Sequence, residues 1–363
     1  RPDFGLPLRD GPPHDMSSEK MVRPRTSRKA PKKGWFRSMG AGAKTLVVVV
    51  GVVVALALAA TAVVGFLAWR LSSAYDGAET IAVPFPDESV RPQKDDDDGS
   101  QTILLIGSDT RGEADEGILI GPQDGRSDTI ILAHIPEDQE NIVFVSVMRD
   151  SWVDIPGYGP NKVNAALAYG GVPLAVQTLE TLFDTRIDEV SVIDFEGFKG
   201  LTDALGGVTV NNSRAFTSGD YTFEEGPITL NGEEALTFVR TRKAFGEGDY
   251  QRVKNQQLYL KSVAGQLLSK DTLSSPNTVI EVVEEVAPFL TVSDGLNTGY
   301  FLKMAPGLAS IRSQDLLFIT APTEGVGVSD DGQSIVILDT EGMEKLREAF
   351  KNDTLAEYAR DQS

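Results

Sequence analysis

The sequence predicts an α/β/α layered domain outside a membrane, carried by an N-terminal transmembrane helix. Two patterns predict the domain. Apolar runs of strand length, QTILLIGSD (101–109), SDTIILAHI (127–135) and NIVFVSVMRD (141–150), are nearly continuous, as in strands covered on both faces. Stretches of helical periodicity follow them, among them VPLAVQTLETLFD (172–184) and DYQRVKNQQLYLKSVAGQLLSK (249–270). A third observation predicts the anchor: TLVVVVGVVVALALAATAVVGFLAW, residues 45–69, holds 25 residues without a charge. At about 1.5 Å rise per residue it covers a hydrocarbon layer of about 30 Å.

Charge divides the chain at that run. The formal charge is −19, yet residues 1–70 carry 12 Lys or Arg against 4 Asp or Glu, and the remainder carries 22 against 49. Residues 1–44 read as a basic, disordered tail, in which nine cations from Lys20 to Lys44 have no acidic residue among them. The positive-inside rule puts this tail in the cytoplasm and residues 71–363 outside, a single-pass protein of the cell membrane. Attraction to anionic lipid accounts for the same charge, so no nucleic-acid partner is expected. A cleaved signal peptide is the competing reading, but its apolar region is shorter, about 7–15 residues. The chain begins on Arg1, and Met16 and Met21 are candidate starts. Residues 70–100 read as an extracytoplasmic linker: PFPDES, RPQK and the aspartates at 95–98 offer little to a core.

Absence of cysteine excludes disulfides, thiolate metal sites and a cysteine nucleophile. Of two histidines, His14 lies in the tail, and His134 within IILAHIP reads as a packed strand residue. Further along, DEVSVIDF (188–195) is a strand and FKGLTDALGG (198–207) a short helix closed by glycines. VTVNN, ITLNGEEAL and TFVRTR add short strands around a turn or helix, and the helix at 249–270 follows. DLLFIT, QSIVILD and EGMEKLREAF give strand, strand and helix. No internal repeat is present. The expectation is one domain over 101–350 and a C-terminal tail over 351–363.

Arginines gather at the ends of these runs. Arg149 closes FVSVMR, and Arg240, Arg242 and Arg252 fall within thirteen residues of an acidic chain. Read as a strand, TFVRTR places Arg240 and Arg242 on one face. Arg252 and Gln256 stand at i and i+4 on the next helix, with Asp249 three residues before Arg252. Any one arginine is readily explained as a surface ion-pair partner. A cluster at strand ends is less readily explained, because ligands of open α/β sheets bind beyond the carboxyl ends of strands. Guanidinium groups match anionic phosphate oxygens with planar, bidentate donors.

The blocks GSDTR (107–111), GRSDTI (125–130), SVMRD (146–150), NKVNAALAYGG (161–171), DFEGFKGLTDALGGVTV (194–210) and LNGEEALTFVRTR…GDYQRVKNQQ (230–257) resemble, in order, those of the LytR–CpsA–Psr family. The resemblance runs from residue 101 to about 325, and to 350 at its widest, and the short tail and single span fit it. It implies an extracytoplasmic α/β/α phosphotransferase that moves a glycopolymer from a polyprenyl-pyrophosphate carrier onto peptidoglycan, forming a phosphodiester link. It implies a deep apolar groove for the prenyl chain and Mg²⁺ as cofactor, with Mn²⁺ as the alternative.

Residue by residue, the family pattern puts Asp109 and Asp128 at the metal. Arg126, Arg149, Arg240 and Arg242 match its phosphate-binding, catalytic arginines. Asp249 is a candidate base, with orientation of Arg252 an equal reading, and Arg252, Gln256, Lys162 and Asn164 fall at substrate-binding positions. Either metal-site aspartate read alone is as readily a helix cap or turn former. The loop GEADEGILIGPQDG between Arg111 and Arg126 has no counterpart in the pattern. Two rival functions fit the same residues: hydrolysis of the lipid pyrophosphate by water, and a non-catalytic, lipid-binding regulator of the cell envelope.

Overall fold

The computed structural model describes residues 70, 72–75, 77–95, 98–108, 127–242, 249–267, 269, 276–308 and 310–362. The strands are Glu79–Thr80 (β1), Gln101–Ser108 (β2), Ser127–Ile135 (β3), Ile142–Val147 (β4), Trp152–Ile155 (β5), Gly159–Lys162 (β6), Glu189–Ile193 (β7), Val208–Asn212 (β8), Phe216–Ser218 (β9), Tyr221–Phe223 (β10), Gly226–Leu230 (β11), Leu290–Val292 (β12), Leu316–Thr320 (β13), Thr323–Val328 (β14) and Ser334–Leu338 (β15). The helices are Ala165–Phe183 (α1), Phe195–Ala204 (α2), Gly232–Arg240 (α3), Asp249–Leu267 (α4), Pro276–Val286 (α5), Thr298–Leu308 (α6), Thr340–Lys351 (α7) and Leu355–Asp361 (α8).

Seven strands form the central sheet in the order β1-β12-β7-β2-β3-β4-β13. It is mixed: β2 runs parallel to β7 and antiparallel to β3, and β4 runs parallel to β13. The unbroken apolar runs have the expected cause. Leu104 and Ile106 of β2, with Ile130 and Leu132 of β3, pack on one face against Val172, Val176 and Leu179 of α1 and Leu346 of α7. Their neighbours Ile103, Leu105, Ile131 and Ala133 pack on the other face with Leu260 and Ala264 of α4. Burying one such side chain contributes roughly 1.5–3 kcal/mol, which both faces of these strands supply. A second core, built on Val210, Phe216, Phe223, Phe238 and Tyr259, fills the space between the β8–β11 region, α3 and α4.

One element differs from expectation in a way that matters for the site. TFVR is not a strand but the second half of α3. Thr, Phe and Val favour strands, yet a capping box overrides them. The Asn231 side chain accepts from the Glu234 N–H, and the Glu234 carboxylate accepts from the Asn231 N–H, both at 3.0 Å. Ala235, Phe238 and Val239 then recur at helical spacing on the buried face.

The stretch expected to be a linker contributes to the packing. β1 joins the sheet edge beside β12, Ile81 is buried, and Arg91 bonds the buried Glu180 carboxylate at 2.7 Å. At the other end of the chain, Leu355, Ala356 and Ala359 of α8 are buried in the main core. Among the described residues no helix is long and apolar enough to cross a membrane, and the expected span at 45–69 lies outside them.

Candidate functional site

The chain leaves β4 through a tight turn in which the Ser151 N–H donates to the Met148 carbonyl at 2.9 Å. Arg149 and Asp150 occupy that turn. The Asp150 carboxylate accepts from Arg242 Nη2 at 3.0 Å, faces Lys162 Nζ at 3.3 Å and lies 3.8 Å from Arg149 Nε. The turn is held from two sides: the Asn164 N–H donates to the Arg149 carbonyl at 3.2 Å, and the Val336 N–H of β15 to the Asp150 carbonyl at 2.9 Å. Asp150 thus joins three cationic side chains, Arg149, Lys162 and Arg242, around one turn.

Arg242 reaches this turn because α3 stops where it does. Asn255 Nδ2 donates to the Phe238 carbonyl at 3.1 Å, and Gln256 Nε2 to the Val239 carbonyl at 3.4 Å. Two carbonyls of the last helical turn are thus satisfied by α4 rather than by further helix. Thr241 is extended, with φ −67° and ψ 125°, and carries the chain off the helix axis. Arg240 sits at the helix C-terminus, where a cation is favoured, with its guanidinium 4.3 Å from the Phe195 ring centre. At the other end of α3, a Cβ on Gly232 would lie 2.7 Å from the Lys199 carbonyl oxygen, so glycine permits α2 and α3 to approach.

Three concavities meet along residues 239–242. An apolar cavity of about 240 Å³ lies between the sheet, α2 and α4, near the carboxyl ends of β2 and β7, and Leu105, Ile193, Phe198, Val239 and Leu260 line it. A cleft of about 450 Å³ is lined by Arg240, Thr241 and Arg242, with Glu233 and Thr237 of α3. A second polar cleft of about 400 Å³ is lined by Arg242, Arg149, Asp150, Lys162, Asn161, Asn164 and Tyr169, with Gln333 and Ser334 from β15 and the turn before it. Val239 faces hydrocarbon-like surface and Arg242, three residues on, borders both basic clefts. Burial pushes the Tyr259 phenol in the apolar cavity above its ordinary range, against a 2.7 Å hydrogen bond with the Thr202 hydroxyl, so it stays neutral there.

Of the residues the sequence singled out, Arg149, Lys162, Asn164 and Arg242 come together in one cleft, and Arg240 joins Arg242 in the next. Arg240 and Arg242 share that wall through a helix terminus followed by an extended residue, not through strand alternation. Arg252 is only 2 % exposed, and its side chain lines neither basic cleft. Arg252 lies on a face of α4 that is packed inward, and the loop at 243–248 that joins it to Arg242 lies outside the described residues. Gln256 lines the apolar cavity while its amide holds α3. Asp109 and Arg126 lie outside the described residues, as do the side chains of Asp128 on β3 and Asp249 on α4.

Asp150 was missed, although it follows Arg149 directly in SVMRD. Gln333 and Ser334 had no signal, since nothing local in sequence shows that β15 returns to this turn. His134 is the packed strand residue expected: its ring bonds the Thr102 hydroxyl at 3.0 Å and the Asp353 carboxylate at 3.1 Å, near the opposite end of β2. Among the described residues no group of three or more His, Asp or Glu is placed to hold a metal.

The chain matches the model of the LytR_cpsA_psr family over residues 72–352. It is 30% identical over 318 residues to the polyisoprenyl-teichoic acid–peptidoglycan teichoic acid transferase TagU of Enterococcus faecalis, covering 86% of this chain and 98% of that protein. With the protein of the same name from Oceanobacillus iheyensis it shares 37% identity over 187 residues, covering 50% of this chain and 56% of the relative. Among solved structures, TagV of B. subtilis superposes with a TM-score of 0.60 at 22% identity, covering 71% of this chain and 98% of that one, a likeness of fold. TagT bound to LIIa-WTA superposes with a TM-score of 0.54 at 26% identity, covering 73% and 95%.

Proposed function

This chain belongs to the LytR_cpsA_psr family, and from that premise we propose that it moves a glycopolymer from a polyprenyl-pyrophosphate carrier onto peptidoglycan, leaving a phosphodiester link. The observation that carries the reading is the run Val239 to Arg242, which passes from an apolar cavity to two basic clefts within four residues. A prenyl diphosphate has the same sequence of chemistry, hydrocarbon then anion. Teichoic acid, named for the relatives, is the first cargo to test.

In this reading the apolar cavity holds the prenyl end and fixes the phosphorus in place. Arg242, Arg149 and Lys162 bind the diphosphate oxygens and stabilise the charge that develops on them and on the departing prenyl phosphate. Asp150 positions these cations. Asn255 and Gln256 hold the helix end from which Arg240 and Arg242 project. Asp109 and Asp128 would hold Mg²⁺, which would supply further neutralisation of phosphate charge. Arg126 would complete the phosphate wall, and Asp249 would take the acceptor proton or orient Arg252. The pyrophosphate already carries the energy of transfer, so no nucleotide is needed. The topology proposed with it is a single membrane span at 45–69, the tail in the cytoplasm and the domain outside.

Incubating the purified chain with a defined prenyl-diphosphate glycan, Mg²⁺ and peptidoglycan fragments tests the reaction. A phosphodiester-linked glycan–peptidoglycan product is expected. Release of glycan phosphate at the same rate with and without the acceptor would make the protein a hydrolase instead.

A further inference from the structure

The β5–β6 hairpin ends beside the second basic cleft and carries an exposed aromatic ring. Ile155 pairs with Gly159 across the hairpin, and Trp152 pairs with Lys162. The tip turns on Gly157 and Gly159, at φ +79° and +78°, with the Tyr158 N–H donating to the Ile155 carbonyl at 2.9 Å. A Cβ on either glycine would meet nothing within 4 Å, so the glycines serve the backbone turn and not close packing. What the turn presents is Tyr158, which remains 57 % exposed.

Tyr158 is not adrift. Its ring stacks on that of Tyr169, with centroids 4.8 Å apart and planes 18° from parallel, and its hydroxyl donates to the Tyr169 carbonyl at 3.3 Å. Tyr169 lines the basic cleft with Lys162 and Asn161, and its own hydroxyl accepts from Asn161 Nδ2 at 2.9 Å. A two-ring stack thus runs from the cleft wall to open solvent. Tyr158 and Lys162 are four positions apart, at most about 13 Å of extended strand. An exposed aromatic face held by a second ring, next to the cleft assigned to the diphosphate, matches a sugar ring: the C–H groups of a pyranose face the negative π surface, and the cleft offers polar groups to its hydroxyls.

We propose that Tyr158, backed by Tyr169, is a stacking platform for a pyranose ring next to the phosphoryl group, a saccharide subsite of this protein. The proposal rests on the phosphotransferase reading of the adjoining clefts. The ring belongs to the glycan of the donor or to the acceptor strand, and the two share the chemistry that the platform recognises.

The test uses the full chain and three probes: a prenyl diphosphate without sugar, a prenyl-diphosphate disaccharide and a peptidoglycan fragment. Tyr158→Ala is expected to bind the sugar-free prenyl diphosphate as the unsubstituted chain does. It is expected to lose about threefold to tenfold in affinity for the disaccharide donor, or to raise the acceptor KM by a similar factor. Loss confined to the donor places the donor glycan on the platform, and loss confined to the acceptor places the acceptor there. Tyr158→Phe, which keeps the ring, should restore most of the loss. Unchanged constants for both saccharide probes, or an equal loss for all three probes, would overturn the proposal. Failure of the unsubstituted chain to bind even the sugar-free prenyl diphosphate would overturn the functional reading itself, and the platform with it.

Discussion

Two arginine–carboxylate clusters of this domain use the same groups to opposite ends. Arg91 and Glu180 form a buried pair, with side chains 5 % and 1 % exposed, and the exposed Glu88 carboxylate lies 3.7 Å from Arg91 Nη1. Arg91 donates to Glu180 through Nε at 3.0 Å and Nη2 at 2.7 Å, and Glu180 Oε1 also accepts the Ile187 N–H at 2.9 Å. At the turn after β4, by contrast, Asp150 is shared among Arg149, Lys162 and Arg242, and the group borders a cleft. The buried pair fastens the segment before β2 to α1. The shared carboxylate stands at the wall of a cleft, where in the proposed function it orients its cations for an anion. Access to a cleft distinguishes the two clusters, where the presence of arginine alone does not.

Breaking the buried pair should have the largest effect, and on stability. Glu180→Ala leaves Arg91 buried without its carboxylate and should cost about 3–5 kcal/mol in chemical denaturation. Affinity for prenyl diphosphate, measured on the folded fraction, should stay close to that of the unsubstituted chain. At the shared carboxylate the order reverses. Arg149→Ala should leave the melting temperature within a few degrees, while transfer falls by the equivalent of roughly 2–5 kcal/mol, read from kcat/KM.

Asn255→Ala sits between the two kinds. It strands the Phe238 carbonyl at the end of α3, which should cost about 1–3 kcal/mol of stability. It should also lower kcat more than it raises KM, because Arg242 loses its fixed base. The smallest effect belongs to the Asp353 contact with His134. Burial works to raise the Asp353 carboxyl, but the His134 ring and the Glu137 N–H outweigh it and hold it below the usual carboxylate range. A depressed carboxyl contributes stability above its unfolded value, near about 3.9, and loses it as the pH falls through the folded value. Asp353→Asn should therefore lower the melting temperature slightly at pH 6, and the difference should shrink below about pH 4.

The same contrast explains what the sequence disclosed. β2, β3 and β4 were legible because burial on both faces writes itself as continuous apolar runs. α3 was not, because Thr237, Phe238 and Val239 are strand formers whose state is decided by a capping box several residues earlier. Arg91 looked like linker because Glu180 lies 89 residues away, a pairing that no local pattern records. Arg149, Lys162 and Arg242 were legible as chemistry from their motifs. The geometry that joins them was not, since it depends on α4 amides stopping α3 and on β15 returning to Asp150. Arg252 marks the limit: its motif placed it among the phosphate-binding positions, and no local pattern records that it is only 2 % exposed.

The most direct test of the account is titration of a sugar-free prenyl diphosphate into the unsubstituted chain and into Arg242→Ala, with a thermal melt of each. Arg242 borders both basic clefts, so its loss should weaken binding by at least about thirtyfold, the equivalent of about 2 kcal/mol, while the melt stays nearly unchanged. Equal affinity in the two proteins, with both folded, would contradict the assignment of these clefts to the diphosphate.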